Sequence, residues 1–284
     1  MVNKRTVNHR PFLIQIIRRN KMAKFCPLFS SSTGNSIYIG SGDDSLLIDA
    51  GMTAKQLEQA LWNIGADADN ISNIFITHEH NDHVKGLKVF SKKHKIRAVM
   101  TQGTYEALSR TDALENVEEC CIITPDGVDL GCMLVKAFGT SHDSKESCGY
   151  TVEMANGRKV AVATDLGIMT DTVFDAIKGA DLVMLESNHD VNMLQCGGYP
   201  YILKRRILGV KGHLSNDACA ETVAKLIKTG TTRFFLGHLS RENNLPQLAY
   251  QTSVCALSME GANEGDDYLI RVAKPVWDEK AMIL

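Results

Sequence analysis

The chain has 284 residues, of which 44% are hydrophobic and 23% are charged, and its formal net charge at pH 7 is −2. This length and apolar content allow a large buried core and exclude a fibrous or wholly disordered chain. The nearly balanced charge excludes a globally basic nucleic-acid coat, although a local basic patch remains compatible with it. The chain also lacks any apolar run that approaches the ~20 residues of a transmembrane helix.

Residues 1–21 differ from the rest of the chain, because they contain six Lys and Arg residues and no acidic residue. A small-residue cleavage site does not follow their short apolar centre, which argues against a signal peptide. We predict a disordered basic extension over residues 1–21 and one folded domain over residues 22–284. The eight cysteines form no CxxC pair, which favours free thiols and a cytoplasmic location without membrane association.

From residue 22 onward, short apolar segments alternate with amphipathic ones. The segments KFCPLFS, NSIYIG and SLLIDAG read as strands separated by the turn sequences STGN and SGDD. Thr53–Ile64 has the periodicity of an amphipathic helix capped by Thr53. Ile71–Ile76 follows as a buried strand, and Asp82–Lys93 has apolar residues at helical spacing.

The same alternation continues to the end of the chain. Two more helices are predicted, at Asn216–Lys228, where Gly230 ends the pattern, and at Leu245–Leu257. Further strands are predicted at Arg97–Met100, Cys121–Thr124, Met133–Phe138, Gly149–Met154, Val160–Thr164, Leu182–Glu186, Arg233–Leu236 and Asp267–Val272. A similar strand–loop–helix order in both halves favours a layered α/β sandwich over a Rossmann sheet.

The sequence THEHNDH at residues 77–83 lies between a predicted strand and a predicted helix. His78 and His80 are two positions apart, so on an extended chain both side chains point the same way and can bind one metal ion. Asp82 and His83 come after the chain turns, which suits a second ion. One short loop therefore supplies half of a predicted two-metal site.

The remaining ligands are expected at the ends of later strands. His142, Asp165 and His238 each follow a predicted strand directly. We predict that His142 completes the group of His78 and His80, that His238 completes the group of Asp82 and His83, and that Asp165 bridges both ions. Imidazole and carboxylate ligands suit Zn²⁺ or Mn²⁺, and the lack of a thiolate argues against a closed structural zinc. Taken singly, a histidine at a strand end such as His142 or His238 is more often a surface or core residue than a ligand.

HxHxDH, followed in order by His142, Asp165 and His238 and preceded by SLLIDAG, resembles the pattern of the metallo-β-lactamase-fold hydrolases. The chain is most similar to the YycJ/WalJ exonuclease group, through SSSTGNS, THEHNDH, TSHDS, LESNHD, GHLSN and GHLSREN. Its C-terminal motifs also resemble those of ribonuclease Z-like enzymes. The resemblance implies a four-layer αββα fold, a centre with two divalent metal ions and nucleolytic activity. It further implies that Asp49 supports the centre without binding metal.

Departures from other branches of this superfamily narrow the activity. Histidine at position 80 disfavours a di-iron redox role, and the third-ligand position holds His142 instead of the cysteine of an antibiotic-degrading lactamase. The stretch between Asp165 and His213 is too short for the extra domain of the β-CASP nucleases. The stretch between His142 and Asp165 is too short for the tRNA-clamping arm of ribonuclease Z. Processing of tRNA is therefore disfavoured, and the resemblance to the YycJ/WalJ exonuclease group implies DNA over RNA as the substrate.

The expected mechanism uses a hydroxide held between two metal ions, because metal binding lowers the pKa of water from about 15.7 to roughly 7. Asp82 and Asp165 take part as metal-binding catalytic residues. The resemblance to ribonuclease Z-like enzymes places His213 of KGHLSN beside the scissile phosphate, where it can protonate the leaving oxygen. General acid catalysis of this kind contributes about 10²–10⁴-fold to the rate. The alternative is that His213 caps or packs at a helix start.

Four further residues are candidates for substrate or supporting contacts. His189 follows the strand Leu182–Glu186, and the basic side chains of Lys204, Lys211 and Arg241 lie near the late motifs, where they suit phosphate binding. The leading hypothesis is a 5′-to-3′ exonuclease on DNA. A hydrolase of a cyclic phosphodiester or a thioester is the first alternative, and a non-catalytic metal-binding regulator is the second.

Overall fold

The computed structural model describes residues 22–42 and 44–284. Within them, two seven-stranded sheets face each other, with strand orders β14-β1-β2-β3-β4-β5-β6 and β13-β12-β11-β10-β9-β8-β7. In the first sheet β3 to β6 run parallel, and in the second β10 to β13 run parallel. The predicted basic extension at residues 1–21 lies outside the described residues.

The first sheet contains β1 (Ala23–Ser31), β2 (Gly34–Ser41), β3 (Asp44–Ile48), β4 (Ile71–Phe75), β5 (Arg97–Met100), β6 (Cys120–Ile122) and β14 (Met282–Ile283). Its connections hold α1 (Ala54–Asn63), α2 (Asn81–Val84), α3 (Leu87–His94), α4 (Gln102–Leu108) and a 3₁₀ turn at Ala68–Asn70. As predicted, Thr53 is the N-cap of α1, and its backbone N–H donates to Gln56 Oε1 over 3.3 Å in a capping box.

The second sheet contains β7 (Val128–Asp129), β8 (Met133–Gly139), β9 (Cys148–Met154), β10 (Lys159–Ala163), β11 (Leu182–Glu186), β12 (Arg233–Gly237) and β13 (Leu269–Val272). Its connections hold α5 (Asp171–Ile177), α6 (Val191–Cys196), α7 (Tyr201–Ile207), α8 (Asn216–Leu226), a 3₁₀ turn at Ile227–Thr229, and α9 (Pro246–Met259). Each helix in the part of the chain that the structure describes is too short or too polar to cross a bilayer.

Side-chain alternation along the strands produces the layers. On β10, Val160 and Val162 face the first sheet, whereas Ala161 and Ala163 pack in a second apolar cluster with the helices of their own sheet. Between the sheets, the Phe25 ring on β1 lies 5.1 Å from the ring of Phe235 on β12. Because each sheet is buried on both faces, four layers result, and the predicted single-domain αββα sandwich is confirmed.

The prediction of one continuous helix over Asp82–Lys93 is wrong, because α2 ends at Val84 and α3 begins at Leu87. Gly86 lies between them and donates its N–H to the Ala50 carbonyl over 2.8 Å. A Cβ atom at Gly86 would stand 2.0 Å from the Met52 carbonyl oxygen. The loop after β3 thus interrupts the helix by close backbone contact, which ties residues 77–83 to the end of β3.

Candidate metal centre

The centre lies where parallel strands of both sheets end. Asp49 follows β3, His78 follows β4, Asp165 follows β10 and His238 follows β12. Asp49, Asp165 and His238 have left-handed backbones, with φ of 63°, 58° and 54°. Each such conformation costs on the order of 1–3 kcal/mol in a residue other than glycine and is typical of functional sites. The chain therefore accepts strain here to aim these side chains at one point.

The first candidate ligand group consists of His78, His80 and His142, whose nitrogen atoms lie within 4.8 Å of one another and could hold one metal ion. His78 Nε2 is 2.9 Å from His80 Nδ1. His142 donates its Nδ1–H to the Gly212 carbonyl over 3.1 Å, so its Nε2 is left facing the group. Burial lowers the pKa of His78 well below its ordinary value and also lowers that of His142. Both rings are thereby kept neutral, which is the form that binds metal.

The second group consists of Asp82, His83 and His238. Asp82 Oδ2 lies 3.5 Å from His83 Nε2 and 4.0 Å from His238 Nε2. Burial opposes charge on His83, but the nearby Asp49 and Asp165 carboxylates outweigh it and raise the pKa of His83 well above its ordinary value. Burial also opposes charge on His238, but the nearby carboxylates, of which Asp165 has the largest effect, outweigh it and raise the pKa of His238 to about 9.

Asp165 stands between the two groups. Its Oδ2 is 3.5 Å from His83 Nε2, and its Oδ1 is 3.9 Å from His142 Nε2. Within residues 22–42 and 44–284, buried Asp165 Oδ2 and His238 Nε2 have no hydrogen-bond partner. Buried polar atoms are normally paired, so these two unpartnered atoms within a cluster of imidazoles and carboxylates fit a site for a bound cation. The donor set is imidazole and carboxylate, which suits divalent metals such as zinc or manganese.

Glu186 is a site residue that the sequence reasoning missed as a functional group. It is fully buried at the end of β11 and accepts the Nδ1–H groups of His213 over 2.9 Å and of His238 over 2.8 Å. The backbone N–H groups of Leu166 and Leu214 donate to its other oxygen, each over 3.0 Å. Burial opposes its charge, but His213 and His238 hold the pKa of Glu186 well below its ordinary value. The Glu186 carboxylate accepts four hydrogen bonds, which occupy its acceptor positions. It therefore orients the rings of His213 and His238.

His213 stands at the mouth of the centre, with 21% of its side chain exposed. Its Nδ1 lies 3.9 Å from Asp165 Oδ1. Burial opposes charge on His213, but the Glu186 carboxylate outweighs this effect and raises the pKa of His213 above its ordinary value. A cavity of about 170 Å³ is lined by His213 and His238 together with Tyr199, Leu203 and Arg206. A substrate in this cavity would contact His213 directly.

Asp49, for which the family resemblance implies a supporting role, is in contact with the second group. It is buried and accepts the His83 Nδ1–H over 2.7 Å and the Thr77 N–H over 2.8 Å. Burial raises the pKa of Asp49 despite the opposing effect of His83. Asn35, which the sequence reasoning did not single out, places its Nδ2 atom 3.3 Å from Asp82 Oδ2 and 3.2 Å from His83 Nε2.

The other candidates lie around the centre. Lys211 lines an open cavity together with His142. Lys204 Nζ donates to the Gln195 carbonyl over 2.8 Å, and Arg241 donates to the Thr33 hydroxyl over 3.1 Å, so both stand on the surrounding surface. His189 is buried, and its ring nitrogens have no hydrogen-bond partner among the residues that the structure describes. Burial lowers the pKa of His189 to about 4, which leaves it neutral.

The hydrogen bond from His83 to Asp49 leads to a testable prediction. We expect Asp49→Asn to weaken Zn²⁺ binding by about 10–100-fold, because the carboxylate that orients His83 is lost. A chelator-competition titration measures this affinity. Asp126→Asn, which changes an exposed carboxylate in a loop, is the matched control and should bind Zn²⁺ normally. Equal affinities in the two variants would show that Asp49 has no such supporting role.

The fold and this centre define the class of protein. Residues 45–239 match the family model described as the beta-lactamase superfamily domain. The chain belongs to this family and is a metallo-β-lactamase-fold hydrolase. The relationship extends to individual proteins. The chain is 36% identical to the exodeoxyribonuclease YycJ of Bacillus anthracis, over 88% of this chain and 95% of that protein.

Two further comparisons agree with this relationship. The chain is 32% identical to the exodeoxyribonuclease WalJ of Streptococcus pneumoniae serotype 2, over 89% of this chain and 94% of that protein. The metallo-β-lactamase-fold protein YhfI of Bacillus subtilis superposes with a TM-score of 0.69 over 92% of this chain and 99% of its own, at 14% identity. That structural likeness shows the fold alone. The resemblance to the YycJ/WalJ group predicted from the motifs is confirmed.

Proposed function

We propose that the protein is a cytoplasmic phosphodiesterase with two divalent metal ions that degrades DNA as a 5′-to-3′ exonuclease. The observation that carries this proposal is the pair formed by His213 and Glu186, 2.9 Å apart at the mouth of the cavity. This pair adds an oriented proton donor to the metal-binding groups, and such a donor is what phosphodiester cleavage needs beyond hydrolysis in general. The names of the two relatives, both exodeoxyribonucleases, support DNA as the substrate.

The metal ions would be held by the two groups of side chains described above. His78, His80 and His142 would hold one ion, and Asp82, His83 and His238 the other, with Asp165 shared between them. Such ions lower the pKa of a water to roughly 7 and so supply a hydrolytic nucleophile near neutral pH.

The side chains of the protein would then divide the remaining tasks. Asp49 and Glu186 fix the rings of His83 and His238 by hydrogen bonds to their Nδ1 atoms, which leaves Nε2 for the metal. Glu186 fixes His213 in the same way, so that the opposite edge of the His213 ring is available to the substrate. His213 would deliver its proton to the leaving oxygen, because an alkoxide is a poor leaving group without protonation.

Basic side chains near the cavity would bind the backbone of the substrate. Lys211 lies beside His142, and Lys204 and Arg241 lie on the surface around the site. Their charges would neutralise phosphates next to the one being cleaved. His189 is buried and neutral, which favours a supporting role behind the site over a contact with phosphate.

The test is an activity screen on the purified protein loaded with Mn²⁺ or Zn²⁺. We expect it to degrade single-stranded DNA, to release mononucleotides from a labelled 5′ end before a labelled 3′ end, and to lose activity in EDTA. RNA of the same sequence should be degraded more slowly. Inert oligonucleotides together with rapid turnover of a cyclic phosphodiester or a thioester would refute the proposal in favour of a small-molecule hydrolase.

A further inference from the structure

The segment Gly197–Lys211, here called the basic strap, contains α7 (Tyr201–Ile207) and has an unusual surface. None of the residues of α7 is buried. The strap carries four basic residues and no acidic one: Lys204, Arg205, Arg206 and Lys211. A helix this short is not stable on its own, and most helices are held by a buried apolar face. The strap must therefore be held by other contacts, and several of its side chains are exposed to a partner.

Large apolar side chains of the strap are exposed together. Tyr201 is 74% exposed and Ile202 is 83% exposed, both in the first turn of α7, and Val210 is 62% exposed near its end. Single exposed apolar residues are ordinary, but a cluster of them between basic residues marks an interaction surface. The Arg205 guanidinium lies 5.9 Å from the centre of the Tyr201 ring, which pairs an aromatic face with a cation.

Hydrogen bonds to backbone carbonyls at the C-terminal end of the strap and at Gly212 tie it to the metal centre. The Ile207 carbonyl accepts the N–H of His213 over 3.0 Å. The Val210 carbonyl accepts the Ser141 hydroxyl over 2.5 Å, and the carbonyl of the following Gly212 accepts from His142. One face of the strap, including Leu203, lines the cavity that contains His213. The strap thus holds a constant position beside the place where a phosphodiester would be cleaved.

The charges of the strap are mostly unneutralised. Arg206 forms an ion pair with Asp143, whereas Lys204, Arg205 and Lys211 have no carboxylate partner among the residues that the structure describes. Proteins that bind single strands combine such cations with aromatic side chains on which bases stack. Tyr199 and Leu203, on either side of Tyr201 in the sequence, both line the cavity, so Tyr201 adjoins it.

We infer that the basic strap binds the unpaired nucleotides that adjoin the scissile phosphate, with Tyr201 stacking on a base and Lys204 and Arg205 neutralising phosphates. This inference rests on the proposed function, because it names the form of nucleic acid that the site takes. A basic amphipathic helix can also bind an anionic membrane surface. The single strand is favoured because Leu203 and Arg206 of the same helix line the cavity that contains His213.

Three variants of the metal-loaded protein test this inference. Tyr201→Ala should raise the Kd for a fluorescent, phosphorothioate-linked oligothymidylate, measured by anisotropy, by about 5–100-fold, as expected for the loss of one stacked base. The KM for unmodified single-stranded DNA should rise in parallel, with kcat retained. Tyr201→Phe should restore wild-type values, because it keeps the aromatic face. Trp62→Ala is the matched control, since Trp62 on α1 is also 74% exposed but lies outside the strap.

The outcomes separate this inference from the proposed function. Wild-type protein that hydrolyses bis(p-nitrophenyl) phosphate but neither binds nor cleaves oligonucleotides would refute both the proposed function and the strap inference. Wild-type protein that degrades DNA, with Tyr201→Ala binding the oligonucleotide as tightly as Trp62→Ala, would overturn the strap inference alone. Sedimentation with phosphatidylglycerol vesicles completes the test. Vesicle binding that is lost in Tyr201→Ala while oligonucleotide binding is unchanged would assign the strap to a membrane surface.

Discussion

Replacing His213 with alanine is expected to lower kcat for DNA hydrolysis by about 10²–10⁴-fold, the range for loss of a general acid. His213 reaches the cavity and is held by Glu186, while the two groups proposed to hold metal are complete without it. The variant should therefore contain as much metal as the wild-type protein. Single-turnover cleavage of a labelled oligonucleotide measures the rate, and elemental analysis after dialysis measures the metal.

A substrate with a better leaving group sharpens this prediction. A p-nitrophenolate leaves without protonation, so His213→Ala should lose far less activity on a p-nitrophenyl phosphodiester than on DNA. His94→Ala is the matched control, because His94 lies on α3 in contact with Glu58 and Asp69, away from the centre. Full activity of His213→Ala on DNA, or loss of metal from that variant, would refute the assignment of His213 as proton donor.

Replacing Asp165 with asparagine is expected to lower both metal content and kcat by more than about 100-fold, beyond the ~10–100-fold that a supporting residue contributes. Asp165 is the carboxylate that reaches both groups, with oxygens 3.5 Å from His83 Nε2 and 3.9 Å from His142 Nε2. Asparagine has the same shape and also tolerates the left-handed backbone that this position has, with φ of 58°. The fold should therefore survive the change.

Elemental analysis and activity assays on the same preparation of Asp165→Asn measure its metal content and its kcat. Asp171→Asn is the control, because Asp171 is an exposed carboxylate in the first turn of α5 and should leave both quantities unchanged. A thermal melt without added metal separates ligand loss from unfolding. An Asp165→Asn protein that keeps its metal and its kcat would show that no carboxylate is shared between the two groups.

Much of this site can be predicted from the sequence, because its ligands follow strands directly. HxHxDH is local, and the carboxyl ends of parallel strands meet at one edge of a sheet, so His142, Asp165 and His238 could be expected to approach it. The role of Glu186 was missed, since a glutamate that ends a strand has no local feature that distinguishes it from a structural residue. Its position at the end of β11, which lies between the strands that precede Asp165 and His238, was the available signal.

The parts of the fold that could not be predicted depend on tertiary contacts or on very short elements. The break between α2 and α3 follows from the approach of Gly86 to Ala50, which no local pattern contains. β7 and β14 have two residues each, too few for a visible alternation. α7 was missed because it buries no residue and so lacks a helical apolar period. The same property makes its surface a candidate for substrate binding.

An anomalous-diffraction map of crystals grown with Zn²⁺ is the most direct test of the metal centre. Two peaks should appear, one among His78, His80 and His142 and one among Asp82, His83 and His238, with Asp165 in contact with both. A single peak, or a peak held by Glu186 and His213, would mean that these side chains gather for another reason and that the two-metal chemistry proposed for this protein is wrong.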